Sequence, residues 1–329
     1  MAGTLEGELI AIVADGDVLF NVGTATAARL RVSSDTLIRA SKVFASLLGP
    51  CFHEGSLDRS SHSPADIALP DDDAIAMEDM CRFLHGESVP QLVEDLNSAR
   101  IYKLAIAIDK YDCTERLRFH SQALLLGFWD AYDGNDPNPC LVQMAAAAYL
   151  LNHARTFSVA TRHIIMDTNE DYSELFETDI AHVFPLAAIL ALGEKRTAAH
   201  ANVSFYMPRL GMPVCGSDCD NWESLYSEAL CRMLETDYWP PSFQHDPVDV
   251  YGAQVLRELV DCLKTKKSYA RETPSCRHTG SVEEVTESMF RDFAKKLEDS
   301  CRGLCLICVR GGERAAVLRM DCMDHSQYW

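Results

Sequence analysis

Positive charge is scarce in this 329-residue chain: 30 Lys and Arg stand against 49 Asp and Glu, a formal net charge of −19. Such a surface repels phosphate backbones and anionic lipids at long range, so neither nucleic acid nor membrane is an expected partner. The short basic clusters, Lys264-Thr265-Lys266-Lys267 and Lys295-Lys296, adjoin acidic residues and read as solvated helix ends. Long apolar runs are missing as well. The longest, Met144–Leu151 and Pro185–Leu192, fall far short of the roughly 20 residues that cross a bilayer. The segment Met1–Glu8 lacks the basic-then-apolar order of a secretory signal, which points to a cytoplasmic or nuclear protein. On that reading the sequon Asn202-Val203-Ser204 goes unused. Catalytic motifs are absent too: no G-x-x-x-x-G-K-[ST], no G-x-G-x-x-G, no G-x-S-x-G and no H-E-x-x-H occurs, so no phosphate loop, nucleophile elbow or zinc-protease helix is expected.

What is present is material for packing. Hydrophobic residues make up 47% of the chain and charged residues 24%, the balance of a folded protein, and the length suits two domains. The 13 cysteines read as thiols or metal ligands, since structural disulfides are rare in reducing compartments. Cys81, Cys231 and Cys262 lie on apolar helical faces and suit small buried positions.

The first third reads as α/β. Leu9–Val13 and Val18–Val22 flank the turn former Asp15-Gly16-Asp17 and predict a hairpin. Residues 35–48 carry Leu37, Ile38, Ala40, Ser41, Phe44, Leu47 and Leu48 at helical spacing, stopped by Gly49-Pro50. After a Ser-rich loop, Ile67-Ala68-Leu69 predicts a strand, and Pro70-Asp71-Asp72-Asp73 opens a helix with Met77, Met80, Cys81 and Leu84 inward. The aspartates could also be named a metal cluster, but a helix start explains them without a ligand. A further helix spans 95–108 with Leu96, Ala99, Ile101, Leu104 and Ile108 inward, breaks at Asp109-Lys110-Tyr111 and resumes to Phe128. Beyond the turn-rich linker 131–139 the pattern is helical throughout, with helices near 139–153, 155–167, 185–206, 221–236, 247–265 and 281–301, so residues 140–329 are expected to form an all-α domain with a cysteine-rich tail.

Two segments in the first third carry a family resemblance. Leu104-Ala105-Ile106-Ala107-Ile108-Asp109-Lys110-Tyr111-Asp112-Cys113 resembles a helix junction of BTB/POZ domains. Leu30 to Phe44, Leu-Arg-Val-Ser-Ser-Asp-Thr-Leu-Ile-Arg-Ala-Ser-Lys-Val-Phe, resembles the family signature F-x-V-H/S … L … A-S-P-x-F, with Ser33 or Ser34 at the usual His and Lys42 at the usual Pro. The resemblance covers residues 8–118 and implies a BTB/POZ domain over 1–130. Residues 148–151, 157–162 and 303–308 resemble the helical carboxy-terminal region of the fungal BTB group.

The resemblance implies a non-enzymatic protein-interaction module. In members that recruit the cullin scaffold of ubiquitin ligases, an apolar-x-Glu motif follows the signature helix, and Phe52-His53-Glu54 falls there: an exposed aromatic to seat in a pocket, a carboxylate to pair with a base. The alternative is that Phe52 folds back on its own helix and Glu54 is solvated, leaving a structural or nuclear regulatory scaffold without a ligase role. The family's dimer surface would involve Leu9, Ile10, Ile12, Leu37 and Ile38, unless carboxy-terminal helices cover that edge.

In the tail, Cys305-x₂-Cys308 and Cys322-x₂-His325 have the paired spacing of a closed structural zinc site, with Gly311-Gly312 between them and Cys301, Cys276 or His278 as substitute ligands. The competing reading makes Leu304–Val309 a buried strand with inert thiols.

Overall fold

The structure, a computed structural model, describes residues 8–24, 28–50, 52–87, 96–132, 138–168, 179–211, 256–265, 269–270, 284–285 and 287–312. The chain divides into two compact units, residues 1–157 and 158–329.

In the first unit β1 (Leu9–Ala11), β2 (Val18–Val22), β3 (Ala28–Val32) and β4 (Ala65–Leu69) form a mixed sheet in the order β1-β3-β2-β4. β2 and β3 are antiparallel with Val18 opposite Val32; β1 runs parallel to β3 with Leu9 opposite Arg29, and β4 parallel to β2 with Val18 opposite Ala65. The hairpin expected between 9–13 and 18–22 is therefore corrected. Those segments lie on either side of β3, and the hairpin is β2–β3. The turn at Asp15-Gly16-Asp17 does form, but it carries the chain past the end of β3. A Cβ at Gly16 would stand 2.6 Å from the Val32 carbonyl oxygen, and the Asp17 carboxylate accepts the Ser34 amide at 2.8 Å and the Ser34 hydroxyl at 2.6 Å. Strand alternation then sorts the two faces. Val18, Phe20, Val22, Leu30, Val32 and Ile67 are buried, while Arg29 on the opposite face donates to Asn21 at 3.3 Å and Asp66 at 3.5 Å.

The single helix expected over 35–48 is two, α1 (Ser34–Ala40) and α2 (Lys42–Leu47). Ser41 divides them with extended backbone, φ −146° and ψ 134°. Its side-chain oxygen accepts the Phe44 amide at 3.1 Å, which starts α2, and its hydroxyl donates to the Tyr111 carbonyl. A serine that can cap the next helix competes with continuing the previous one. Leu37, Phe44 and Leu48 remain fully inward across the break.

Helix α3 (Ala74–Leu84) begins where Asp73 accepts the Ala76 amide at 3.0 Å, and buries Met77, Met80, Cys81 and Leu84, the face its periodicity predicts. Helix α4 (Ser98–Lys110) starts at Asn97, whose side chain accepts the Arg100 amide at 2.9 Å. Ile101, Leu104 and Ile108 point inward as expected, but Ala99 is exposed and Leu96 precedes the cap. Asp112, at φ 49°, turns the chain into α5 (Arg118–Ala131). Between α3 and α4 the Asp79 carboxylate, 2% exposed, takes two bonds of 2.9 Å from Arg100. Helix α6 (Asn138–Leu150) has Leu141, Val142 and Met144–Ala148 buried on every side, as a helix apolar all round must be. It packs along α4, with Ser98 donating to Gln143 at 2.6 Å, so the first helix after the linker belongs with the sheet unit.

Helix α7 (Ala154–Asp167) crosses the boundary between the units. The second unit continues with α8 (Leu186–Gly211), α9 (Leu256–Thr265), a two-residue ladder β5 (Tyr269–Ala270) with β6 (Glu284–Val285), α10 (Glu287–Ser300) and α11 (Leu306–Gly311). It is thus mainly helical, and the small ladder corrects the all-α expectation. Phe290, Phe293, Leu297, Leu263, Leu192 and Leu304 form its core. Lys264 pairs with Glu298 at 2.7 Å across α9 and α10. No helix among the described residues is long and apolar enough to cross a membrane.

Candidate functional site

The surface around Phe52 is built on a stack of rings. Phe20 of β2, Phe44 of α2 and Tyr111 after α4 lie one on another, with centroids 5.9 and 4.4 Å apart and planes inclined by 18° and 10°. Tyr111 is 3% exposed, so its hydroxyl needs a partner, and it donates to Asp72 at 2.8 Å. Burial, with the Asp72 carboxylate beside it, pushes the Tyr111 phenol far above its usual range, so it stays a proton donor. The other Asp72 oxygen accepts from Lys110 at 2.7 Å. Asp73 divides its oxygens between the Ala76 amide and Lys103, at 3.0 and 2.9 Å. Burial acts to raise the Asp73 pKa, but Lys103 and the helix amides outweigh it and hold the carboxyl below its ordinary value.

Above this floor lies an open groove of about 540 Å³, lined by Val43, Ser46 and Leu47 of α2, by Phe52, by Leu69-Pro70 at the end of β4, and by Tyr111. Val43, Ser46 and Leu47 share one helix face, three and four residues apart. Phe52 is 52% exposed at the rim, and Val43 is exposed as well. Lys42 and Lys110 with Asp71 and Asp72 add two charges of each sign to the lining. Glu54 stands half-buried at the start of a 3-10 turn, Glu54–Ser56. Two glycines fix that loop: a Cβ at Gly55 would lie 1.7 Å from the Gly49 carbonyl oxygen. Arg59 ties it from beneath, donating to the Leu48 carbonyl at 3.1 Å. The Gly49–Gly55 approach and the Arg59 tie escaped sequence reading, because neither follows a period.

The structure places the other sequence candidates as follows. Leu9 is 53% exposed on the edge strand β1 and Ile10 is half-buried, whereas Ile12 and Leu37 lie in the core of their own unit and Ile38 is half-buried. Cys305 is the residue before α11 and Cys308 lies in its first turn, so the pair opens a helix and not the alternative buried strand. Both are buried. Cys322, His325, Cys276 and His278 lie outside the described residues. Burial pushes the Cys301 thiol up to about 11, against the Ser300 hydrogen bond and the charges of Arg162 and Lys195.

Chemically, the groove offers an apolar seat with two cations, Lys42 and Lys110, and two anions, Asp71 and Asp72, in its lining. Comparison of the chain with protein-family models, with curated proteins and with solved structures finds no match.

Proposed function

We propose that this chain is a non-enzymatic protein-interaction module of the BTB/POZ kind, and that the groove beside Phe52 seats the partner. The observation that carries the reading is the exposure of Phe52 at a groove: a large aromatic held 52% in solvent, lining the same groove as Val43 and Tyr111, the last ring of the stack. Exposed apolar area next to a preformed groove is typical of binding surfaces. The first unit supplies a small mixed four-stranded sheet with helices, which is the scaffold this reading uses. The motif Phe52-His53-Glu54 favours a cullin scaffold as partner, with Glu54 as the charged neighbour of the aromatic anchor. Adaptor work follows, the second unit holding a client. The rival is a structural or nuclear regulatory scaffold that meets no ubiquitin ligase.

In a direct titration of the full chain with the host's cullin, Phe52→Ala is expected to weaken binding about thirtyfold, the equivalent of about 2 kcal/mol for an interface anchor. Glu54→Lys reverses the charge and is expected to weaken binding as well. No detectable binding by the wild type removes the cullin reading and favours the scaffold.

A second feature supports self-association. Among the described residues β1 is the outer strand of the sheet, pairs only with β3 and leaves Leu9 and Ala11 exposed; an open edge invites another strand. Light scattering of the full chain at tens of micromolar is expected to give a dimer mass, and Leu9→Lys a monomer. A monomeric wild type refutes it.

A further inference from the structure

From the last residue of the 3-10 turn to β4 the chain carries four serines, Ser56, Ser60, Ser61 and Ser63, and hydrogen bonding separates one from the rest. Ser56 donates its hydroxyl to the His53 carbonyl at 2.7 Å. Ser60 uses its hydroxyl oxygen to accept the Ser63 amide at 3.1 Å, and the Ser61 hydroxyl lies 3.3 Å from the His62 ring. Of these four, Ser63 alone has a hydroxyl with no hydrogen-bond partner among the described residues, and it is exposed. Its backbone closes a tight turn with Ser60 through bonds of 3.0 and 3.2 Å, and it is followed by Pro64, which biases Ser63 toward an extended backbone. The other Ser/Thr-Pro pair of the chain, Thr273-Pro274, lies outside the described residues.

Two arginines attend this turn. Arg31 donates to the Ser61 carbonyl at 2.5 Å and to the Gly16 carbonyl at 3.0 Å. Arg59 approaches Asp17 at 3.7 Å, and the Asp17 carbonyl in turn accepts the amide of Ala65, two residues after Ser63. Of the Arg59 guanidinium nitrogens, Nη2 holds the Leu48 carbonyl, and Nη1 is buried without a hydrogen-bond partner. Leu48 ends α2, four residues ahead of Phe52.

We propose that Ser63 is a phosphorylation site for a proline-directed kinase, and that Arg31 and Arg59 bind the phosphate and so couple it to the segment that bears Phe52. The transfer forms a bond between the Ser63 Oγ and the γ-phosphorus of ATP, breaks the bridging bond to the β-phosphate, releases the hydroxyl proton and leaves ADP. The product brings close to two negative charges and three strong acceptor oxygens to the turn. Guanidinium binds phosphate in a fork, so Arg59 is drawn off the Leu48 carbonyl toward the new acceptor. The segment from Leu48 to Phe52 then loses its tie. This coupling rests on the groove reading above, whereas the acceptor site stands without it.

The full chain is incubated with ATP and a purified cyclin-dependent kinase, and the product is mapped by mass spectrometry. One phosphate on Ser63 is expected, with Pro64→Ala slowing its addition more than tenfold and Thr273→Ala leaving it unchanged. Hydrogen exchange of amides 48–54 is expected to accelerate severalfold on phosphorylation. In Arg59→Lys the phosphate is still added but that acceleration is lost. Phosphate on Ser60 or Ser61, or none on the chain while the peptide 58–68 accepts it, overturns the site. Phosphate on Ser63 with unchanged exchange overturns the coupling. Neither readout involves a cullin, so these outcomes stand apart from the titration of Phe52→Ala.

Discussion

Arg100→Ala is expected to destabilise the first unit by about 4 kcal/mol in urea unfolding of the full chain. The side chain removed is itself 19% exposed; the loss comes from what it leaves behind, the Asp79 carboxylate at 2% exposure with its bidentate partner gone. A lone buried charge costs more than the pair contributed, so the double variant Asp79→Leu/Arg100→Met is expected to recover most of the stability. The pH dependence follows from the sign of the Asp79 shift. Burial is the largest influence and raises its pKa, Arg100 pulls it down, and the net position remains above the ordinary value. A carboxyl more easily protonated when folded is relieved by acid: its penalty is full above the folded pKa and vanishes below the unfolded one. Without Arg100 the folded pKa rises further. The deficit is therefore largest at neutral pH and shrinks as pH falls into the carboxylate range, which unfolding midpoints at two pH values will read. A deficit below about 1 kcal/mol, or one indifferent to pH, would mean that Asp79 finds another counter-charge.

Gly303→Ala is expected to destabilise the second unit by about 3 kcal/mol, with Gly303→Val worse. A Cβ at this position would stand 1.8 Å from the Ser158 carbonyl oxygen and 2.8 Å from the Ser158 hydroxyl oxygen. The obstacle is mostly backbone, which cannot rotate aside. The same contact is stitched by Thr161, whose hydroxyl donates to the Ser158 carbonyl at 3.1 Å and accepts the Leu304 amide at 2.8 Å. Pushing the segment 301–305 away breaks that bond and uncovers Leu304, now fully buried. Hydrogen exchange of α7 and α10 amides reports the loss directly. Wild-type protection in Gly303→Ala would mean that the segment 301–305 shifts without cost.

Where periodicity carries the information, the fold was legible from residues. Met77, Met80, Cys81 and Leu84 are inward because one stripe of α3 meets the core, and the stripe is written in the spacing. Partner choice is not written that way. Alternation in Leu9–Val13 and Val18–Val22 marks two strands, yet nothing in it says that β3 lies between them, since every strand presents the same backbone donors and acceptors. The break at Ser41 was hidden for a related reason: the apolar spacing continues through it, and only the distant Tyr111 carbonyl makes the cap worth forming. At the groove, Phe52 and Glu54 were named from a motif, but the residues that shape their loop, Gly49, Gly55 and Arg59, act through close approach and a single bond to distant backbone. The cysteine pair was read from spacing alone, and spacing does not distinguish a strand from the first turn of a helix.

The parallel pairing of β1 with β3 sets an order of events. β2 and β3 are separated by five residues of sequence, whereas Leu9 and Arg29 are twenty apart. Loop closure of that length is slower than closure of the β2–β3 hairpin, so β1 joins β3 after β2 has paired with it, and β4, whose Ala65 lies opposite Val18, closes the longest loop of the three. β3 is then the strand with an edge that is filled from within. Any foreign strand that adds to it has to evict β1, and the three-residue grip of Leu9–Ala11 becomes the threshold that such an intruder must exceed.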